Sequence, residues 1–238
     1  MPPAPVRSRL ARLDWQAAGA SLLDRGHAVT PPVLTARECD ALIRLYADDA
    51  RFRSRIDMGP RRFGEGEYKY FAYPLPPIVQ ALRLHAWPPL ARIANDWMRL
   101  LRRPDRYPPR LPAYLARCRR HGQSRPTPLL LRYETGGYNC LHQDLYGSLA
   151  FPLQITVLLN RPGADFTGGD FLLVEQRPRA QSRGESIALQ RGAMVIFPNR
   201  DRPLRGARGC SRAAVRHGVA TLTSGIRLTL GVIFHDAR

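Results

Sequence analysis

The sequence predicts an α+β fold, and three observations carry that prediction. Helical patterning is confined to the first half of the chain. From residue 129 onward short apolar runs alternate with Gly and Pro. A hydrophobic content of 44% over 238 residues is enough to bury a full core.

Residues 15–23 form a short amphipathic segment, Ala28-Val29 a strand, and Pro31-Pro32 a break. Thr35 and Glu38 make the T-x-x-E pattern of a capping box, in which each side chain satisfies the other's backbone N–H. A helix is therefore predicted from there through about Asp48, with Leu42, Ile43, Leu45 and Tyr46 on one face. Residues 51–73 are different in kind, mixing cations such as Arg53, Arg61 and Arg62 with Phe63, Tyr68, Tyr70 and Phe71. Residues 76–101 read as two helices split at Pro88-Pro89, because proline lacks the N–H that an interior helical turn needs. A Pro/Arg-rich stretch, 102–128, carries a short helix near 114–119. The eight apolar runs that follow are 129–133, 138–142, 151–159, 170–174, 187–189, 194–197, 215–220 and 227–234. Such spacing predicts an antiparallel sandwich or barrel. The expected organisation is a helical N-terminal region, 1–128, and a β-core, 129–238, within one domain.

No stretch approaches the roughly 18 apolar residues of a membrane helix. The segment Met1-Pro2-Pro3-Ala4-Pro5-Val6-Arg7 has neither an apolar core nor a cleavage site, so no signal peptide is read. Cys39, Cys118, Cys140 and Cys210 form no C-x-x-C pair, which points to a reducing cytoplasm. The formal charge is +18, from 37 basic and 19 acidic residues. A field of that sign concentrates polyanions, so nucleic acid is the expected partner. Coding bias accounts for Lys69 being the only lysine, but not for the shortage of acids. Oligomeric state is not readable.

His142-Gln143-Asp144 ends a strand-like run, and side chains at i and i+2 of a strand share a face. Alone the triplet is weak, as any short motif is. His217, on a different predicted strand, offers a third ligand. Two imidazoles and a carboxylate leave three octahedral positions open, which suits non-haem iron(II) with a bidentate co-substrate and O2. Zinc usually takes a tetrahedral set, and either histidine alone would read as a hydrogen-bonded core residue. Ten residues after His217 comes Arg227, in an apolar strand that should not bury a cation unless an anion meets it. A dicarboxylate co-substrate supplies that anion through a bidentate contact, with Thr229 facing the same way. An internal acid is the alternative. Cys140 reads as a packed small residue rather than a ligand.

Taken together, His142-x-Asp144, His217 and Arg227 resemble the 2-oxoglutarate/iron(II) dioxygenase superfamily, particularly its prolyl-4-hydroxylase-like branch. Tyr133, nine residues before His142, resembles the tyrosine that reaches 2-oxoglutarate in this branch. Phe166-Thr167-Gly168-Gly169-Asp170-Phe171 is similar to the family's Gly-Gly-acid turn. The resemblance covers residues 129–236, and segments such as Ile93-Ala94-Asn95-Asp96-Trp97 suggest a bacterial subfamily of uncharacterised oxygenases. It implies a double-stranded β-helix, iron(II) held by His142, Asp144 and His217, and 2-oxoglutarate anchored by Arg227, Thr229 and Tyr133. It also implies oxidation by O2, with hydroxylation or demethylation as the outcome.

For the substrate, residues 51–73 are expected either to fold over the metal mouth or to pack on the core. As a lid, Phe63, Tyr68, Tyr70 or Phe71 would stack on a base while Arg61 and Arg62 meet phosphates. Two further arginine clusters, 99–125 and 200–216, line the same groove or are solvated. The expected activity is therefore on nucleic acid, either alkylation repair or modified-base oxidation. Protein prolyl hydroxylation is the alternative, and a non-catalytic basic binding protein the third reading.

Overall fold

The computed structural model describes residues 4–177, 179–206 and 209–238; residues 1–3 of the N-terminal segment and 207–208 of the second arginine cluster lie outside it. Its helices are α1 (Val6–Ala11), α2 (Trp15–Asp24), α3 (Ala36–Leu45), α4 (Pro77–Leu100) and α5 (Leu111–Arg120). Its strands are β1 (Ala28–Val29), β2 (Phe52–Asp57), β3 (Gly64–Glu65), β4 (Glu67–Phe71), β5 (Leu129–Glu134), β6 (Tyr138–His142) and β7 (Leu153–Leu158). They continue as β8 (Phe166–Gly168), β9 (Phe171–Gln176), β10 (Arg183–Ile187), β11 (Met194–Pro198), β12 (Asp201–Gly206), β13 (Gly209–Val219) and β14 (Leu222–Val232). No described helix is long and apolar enough to cross a membrane.

The strands form two antiparallel sheets. One runs β1-β11-β7-β14-β5-β4-β2, with β8 beside β14; the other runs β10-β9-β13-β6-β3, with β12 beside β13. Side chains of both sheets line a single cavity, so the sheets face each other across it. This is the double-stranded β-helix, with helices on the outer face of the larger sheet.

Strand alternation explains how one sequence serves both faces. On β7, Leu153, Ile155 and Val157 join the core beneath the helices, while Gln154 and Thr156 face the cavity. On β14, Leu228, Leu230 and Val232 face the helices, and Arg227 and Thr229 face the cavity. A one-residue slip would put Arg227 into the apolar core, so register is under strong control.

The structure departs from three expectations. Residues 76–101 are one helix, α4, with Pro88 and Pro89 inside it. An interior proline costs about 3 kcal/mol, but the same turn buries Trp87 completely against Tyr114, Phe151 and Phe234. Burial of that aromatic cluster outweighs the lost hydrogen bonds. The region before residue 129 is also not simply helical: β4 pairs with β5, β2 with β4, and β3 with β6. Strands need partners distant in sequence, and this Arg/aromatic segment finds them at the edges of both sheets. The Thr35–Glu38 capping box forms in full, though its helix ends at Leu45 rather than near Asp48.

Candidate active site

The metal-ligating candidates meet where β6 and β13 pair. His217 lies directly opposite His142 in register, and β6 carries a bulge just beyond. Gly218 permits that approach, because a Cβ there would stand 2.6 Å from the Asn139 carbonyl. Asp144 comes in from the turn two residues past the end of β6, not from strand alternation as the spacing suggested. Its backbone carbonyl accepts a bond from Asn199 Nδ2 at 3.4 Å. One ligand atom from each of His142, Asp144 and His217 lies within 4.8 Å of the others.

The protonation states suit a cation. His142 Nδ1 is 2.8 Å from the Cys140 carbonyl; since a carbonyl only accepts, Nδ1 carries the proton and Nε2 is free to ligate. His217 Nε2 lies 3.2 Å from Asp144 Oδ2. Burial, then the charge of His142, pushes the His217 pKa down, so its imidazole stays neutral. Burial alone would raise the Asp144 pKa, but the bond to His217, the charges of both histidines and the Tyr146 hydroxyl hold it below the usual carboxylate range. A neutral imidazole at His217 and an ionised carboxylate at Asp144 are the states in which those side chains bind a metal. The His217 ring is steadied by packing, with Phe197 at 4.7 Å and Phe171 at 6.0 Å between ring centroids.

Arg227 opens onto the same cavity, which has a volume of about 370 Å³. The side chain is 2% exposed, yet its Nε and Nη1 have no hydrogen-bond partner and no acid among the described residues pairs with it. Burial pushes its pKa down to about 10, so it is still a cation at neutral pH. The internal acid weighed as its partner is therefore not found. Tyr133 lies beneath it, 5.9 Å from guanidinium to ring, with a hydroxyl that accepts from Asn139 Nδ2 at 3.1 Å. Thr229 lines the cavity two residues along. Gly169 makes room, since its φ is +66° and a Cβ would press on Leu222 and on Arg227 Cδ at 3.1 Å.

A protein-family profile for an oxygenase catalysing oxidative methylation of damaged DNA matches residues 66–237. The chain belongs to this family. An uncharacterized protein of Mycobacterium tuberculosis is 49% identical over 167 residues, covering 70% of this chain and 72% of its own. Among solved structures, a Pseudomonas putida prolyl-4-hydroxylase aligns with a TM-score of 0.57 at 15% identity, covering 94% of this chain and 99% of that one. A non-heme alpha ketoglutarate dependent carbocyclase from nogalamycin biosynthesis aligns with a TM-score of 0.58 at 16% identity, covering 99% and 87%. Those two likenesses establish the fold. Family, fold and donor set together make the chain an iron(II)- and 2-oxoglutarate-dependent oxygenase that uses O2.

Of the candidate substrate residues, Arg62, Phe63, Tyr68 and Tyr70 line the cavity, whereas Arg61 is exposed outside it. Phe71 drops out as a stacking platform, being fully buried against Phe52 at 4.8 Å. Cys140, expected to be packed, is exposed at the cavity. In the second arginine cluster, Arg202 is buried and paired with Glu175, while Arg200, Arg212 and Arg216 are exposed. Sequence reasoning missed Tyr146, whose hydroxyl donates to Asp144 Oδ1 at 2.5 Å, and Gln154, a buried cavity amide whose Nε2 has no partner. Alternation along β7 could have flagged Gln154, a polar residue between Leu153 and Ile155. No local signal marks Tyr146.

Proposed function

We propose that this oxygenase oxidises an alkyl group carried by a base in DNA. Iron(II) would be held by His142, Asp144 and His217. The far carboxylate of 2-oxoglutarate would be seated by Arg227, with Thr229 and Tyr133 beside it. Together with O2 the two would supply an oxidant strong enough to break a C–H bond. The chain's own part is to place the substrate carbon, exclude water and leave the chemistry to the bound group.

The observation that carries this reading is one cavity shared by a His/Asp/His donor set and an unpartnered buried arginine. A buried cation without a partner is costly unless a ligand completes it. The mouth supports the choice of a base. Phe63 and Leu141 are large apolar side chains of its lining that are left exposed, and such patches mark recognition surfaces. Arg62 sits beside them, and Arg61 lies just outside. An apolar rim within a +18 surface suits a flipped or single-stranded base whose phosphates meet arginine. On this reading, residues 51–73 form the recognition element ahead of a catalytic core from residue 129, and the family's description points the same way.

The test is succinate release from 2-oxoglutarate with iron(II) and O2, in the presence of methylated or unmethylated single-stranded oligonucleotides. Methylated DNA should stimulate release, with loss of the methyl group in step. His142→Ala and Asp144→Ala should abolish both signals in folded protein. Stimulation by a proline-containing peptide and not by DNA would replace this reading with a protein hydroxylase.

A further inference from the structure

Asp144 has two carboxylate oxygens, and the fold treats them differently. Oδ2 faces His217 Nε2 at 3.2 Å. Oδ1 lies 3.7 Å from His142 Nε2 and accepts a hydrogen bond from the Tyr146 hydroxyl at 2.5 Å. Behind Tyr146, the Tyr70 hydroxyl donates to the Tyr146 oxygen at 3.0 Å. The direction of this chain is set by its end, because an ionised carboxylate can only accept. Tyr146 lies outside any regular element, between β6 and β7, and its ring is held by side chains. Tyr70 meets it edge-on at 6.1 Å and His235 at 6.0 Å between centroids, while Arg53 lies 4.5 Å over Tyr70.

Resting on the assignment of the His/Asp/His set as ligands, we infer that Tyr146 is a positioning residue that makes Asp144 a one-oxygen ligand. Its hydroxyl occupies Oδ1 and leaves Oδ2 for the metal. The count of coordination positions shows why that matters. Three protein donors leave three of six octahedral positions, and a bidentate co-substrate takes two. A carboxylate binding through both oxygens would take the last. Tyr146 thus keeps one position open, and Tyr70 polarises the hydroxyl that does so.

The experiment uses the whole chain, Mn(II) as the probe ion and no DNA. Mn(II) affinity is read by paramagnetic resonance titration, and 2-oxoglutarate affinity is then read on the Mn(II)-loaded protein without oxygen. Tyr146→Phe keeps the ring and removes the donor. It should weaken Mn(II) binding about 10- to 100-fold, because the Asp144 carboxylate is no longer held in the orientation that presents Oδ2, and weaken 2-oxoglutarate binding on the Mn(II)-loaded protein in step. If the hydroxyl is only a packing detail, the metal-free protein melts earlier while both affinities stay at the wild-type values; that result overturns the inference. Should Tyr146→Phe fail to fold, Tyr70→Phe decides, with a loss of Mn(II) affinity of roughly threefold expected and an unchanged affinity counting against. Asp144→Ala separates this idea from the site assignment: wild-type Mn(II) affinity in that variant would show the ligand set itself to be wrong. A negative DNA assay would leave the role of Tyr146 untouched.

Discussion

Arg83 and Arg227 are both buried, at 0% and 2% exposure, yet the fold treats them in opposite ways. Arg83, on α4, donates to Asp236 Oδ1 at 2.7 Å and to the carbonyls of Ile233 and Phe234 at 3.0 and 3.1 Å. It also donates to the Tyr73 hydroxyl at 2.8 Å, which in turn donates to Asp236 Oδ2 at 3.0 Å. Every branch of that guanidinium is used, and the result ties the long helix to the segment just after β14. Arg227, on β14 itself, has two nitrogens without a partner. A buried charge that the fold satisfies is a structural tie, whereas one left open is a place for a ligand. Charge and burial are nearly the same in the two; only the company differs.

Removing Arg83 should produce the largest effect. Arg83→Met strands Asp236 as an unpaired buried carboxylate, at a cost of about 3–5 kcal/mol. Urea unfolding would measure it, and a loss under about 1 kcal/mol would dissolve the contrast.

His235 sharpens the comparison, because it too has an unpartnered buried nitrogen, Nε2, but lies outside the cavity lining. Its Nδ1 accepts from the Phe151 N–H at 3.2 Å, and burial pushes its pKa down to about 4 from the ordinary 6.5. Between those values the unfolded chain binds the extra proton and the folded chain does not. Stability is therefore fully present above pH 6.5 and falls as pH drops toward 4, by roughly 3 kcal/mol from this group. His235→Asn should flatten that part of the stability profile. An unaltered profile would mean that the imidazole is solvated after all. The group is open because it must stay neutral, which separates it from Arg227.

The smallest effect is expected at the exposed arginines. Arg61→Ala with Arg62→Ala should weaken binding to single-stranded DNA and reduce its salt dependence by about two units of slope if both touch phosphate. An unchanged slope would remove this turn from the interface.

Much of this was legible in the sequence, for identifiable reasons. Seven of the eight apolar runs emerged as β5, β6, β7, β9, β11, β13 and β14 because period and turn residues are local signals, whereas 187–189 only touches the end of β10, whose strand runs through Arg183–Ile187 before it. Strands β2 to β4 were not, since Arg53, Arg55 and Lys69 break the apolar pattern and their pairing comes from β5 and β6. β12 hid for a related reason: Asp201, Arg202 and Pro203 look like loop until Glu175 is brought against Arg202. At the site, His142 and Asp144 could be proposed from their i, i+2 spacing, His217 from its place on a later predicted strand, and Arg227 because a cation is improbable in an apolar strand; the resemblance to a known family joined the four. Tyr146 could not, as its meaning depends on which Asp144 oxygen it faces.

The central claim is that Arg227 is left open for the co-substrate. Titration of 2-oxoglutarate into the Mn(II)-loaded protein without oxygen tests it most directly, comparing the wild type with Arg227→Met. Charge-assisted bonds of about 1.5–3 kcal/mol predict binding weaker by roughly 10- to 100-fold, with Mn(II) affinity and metal-free stability undiminished. Equal 2-oxoglutarate affinity in the two proteins would contradict the account.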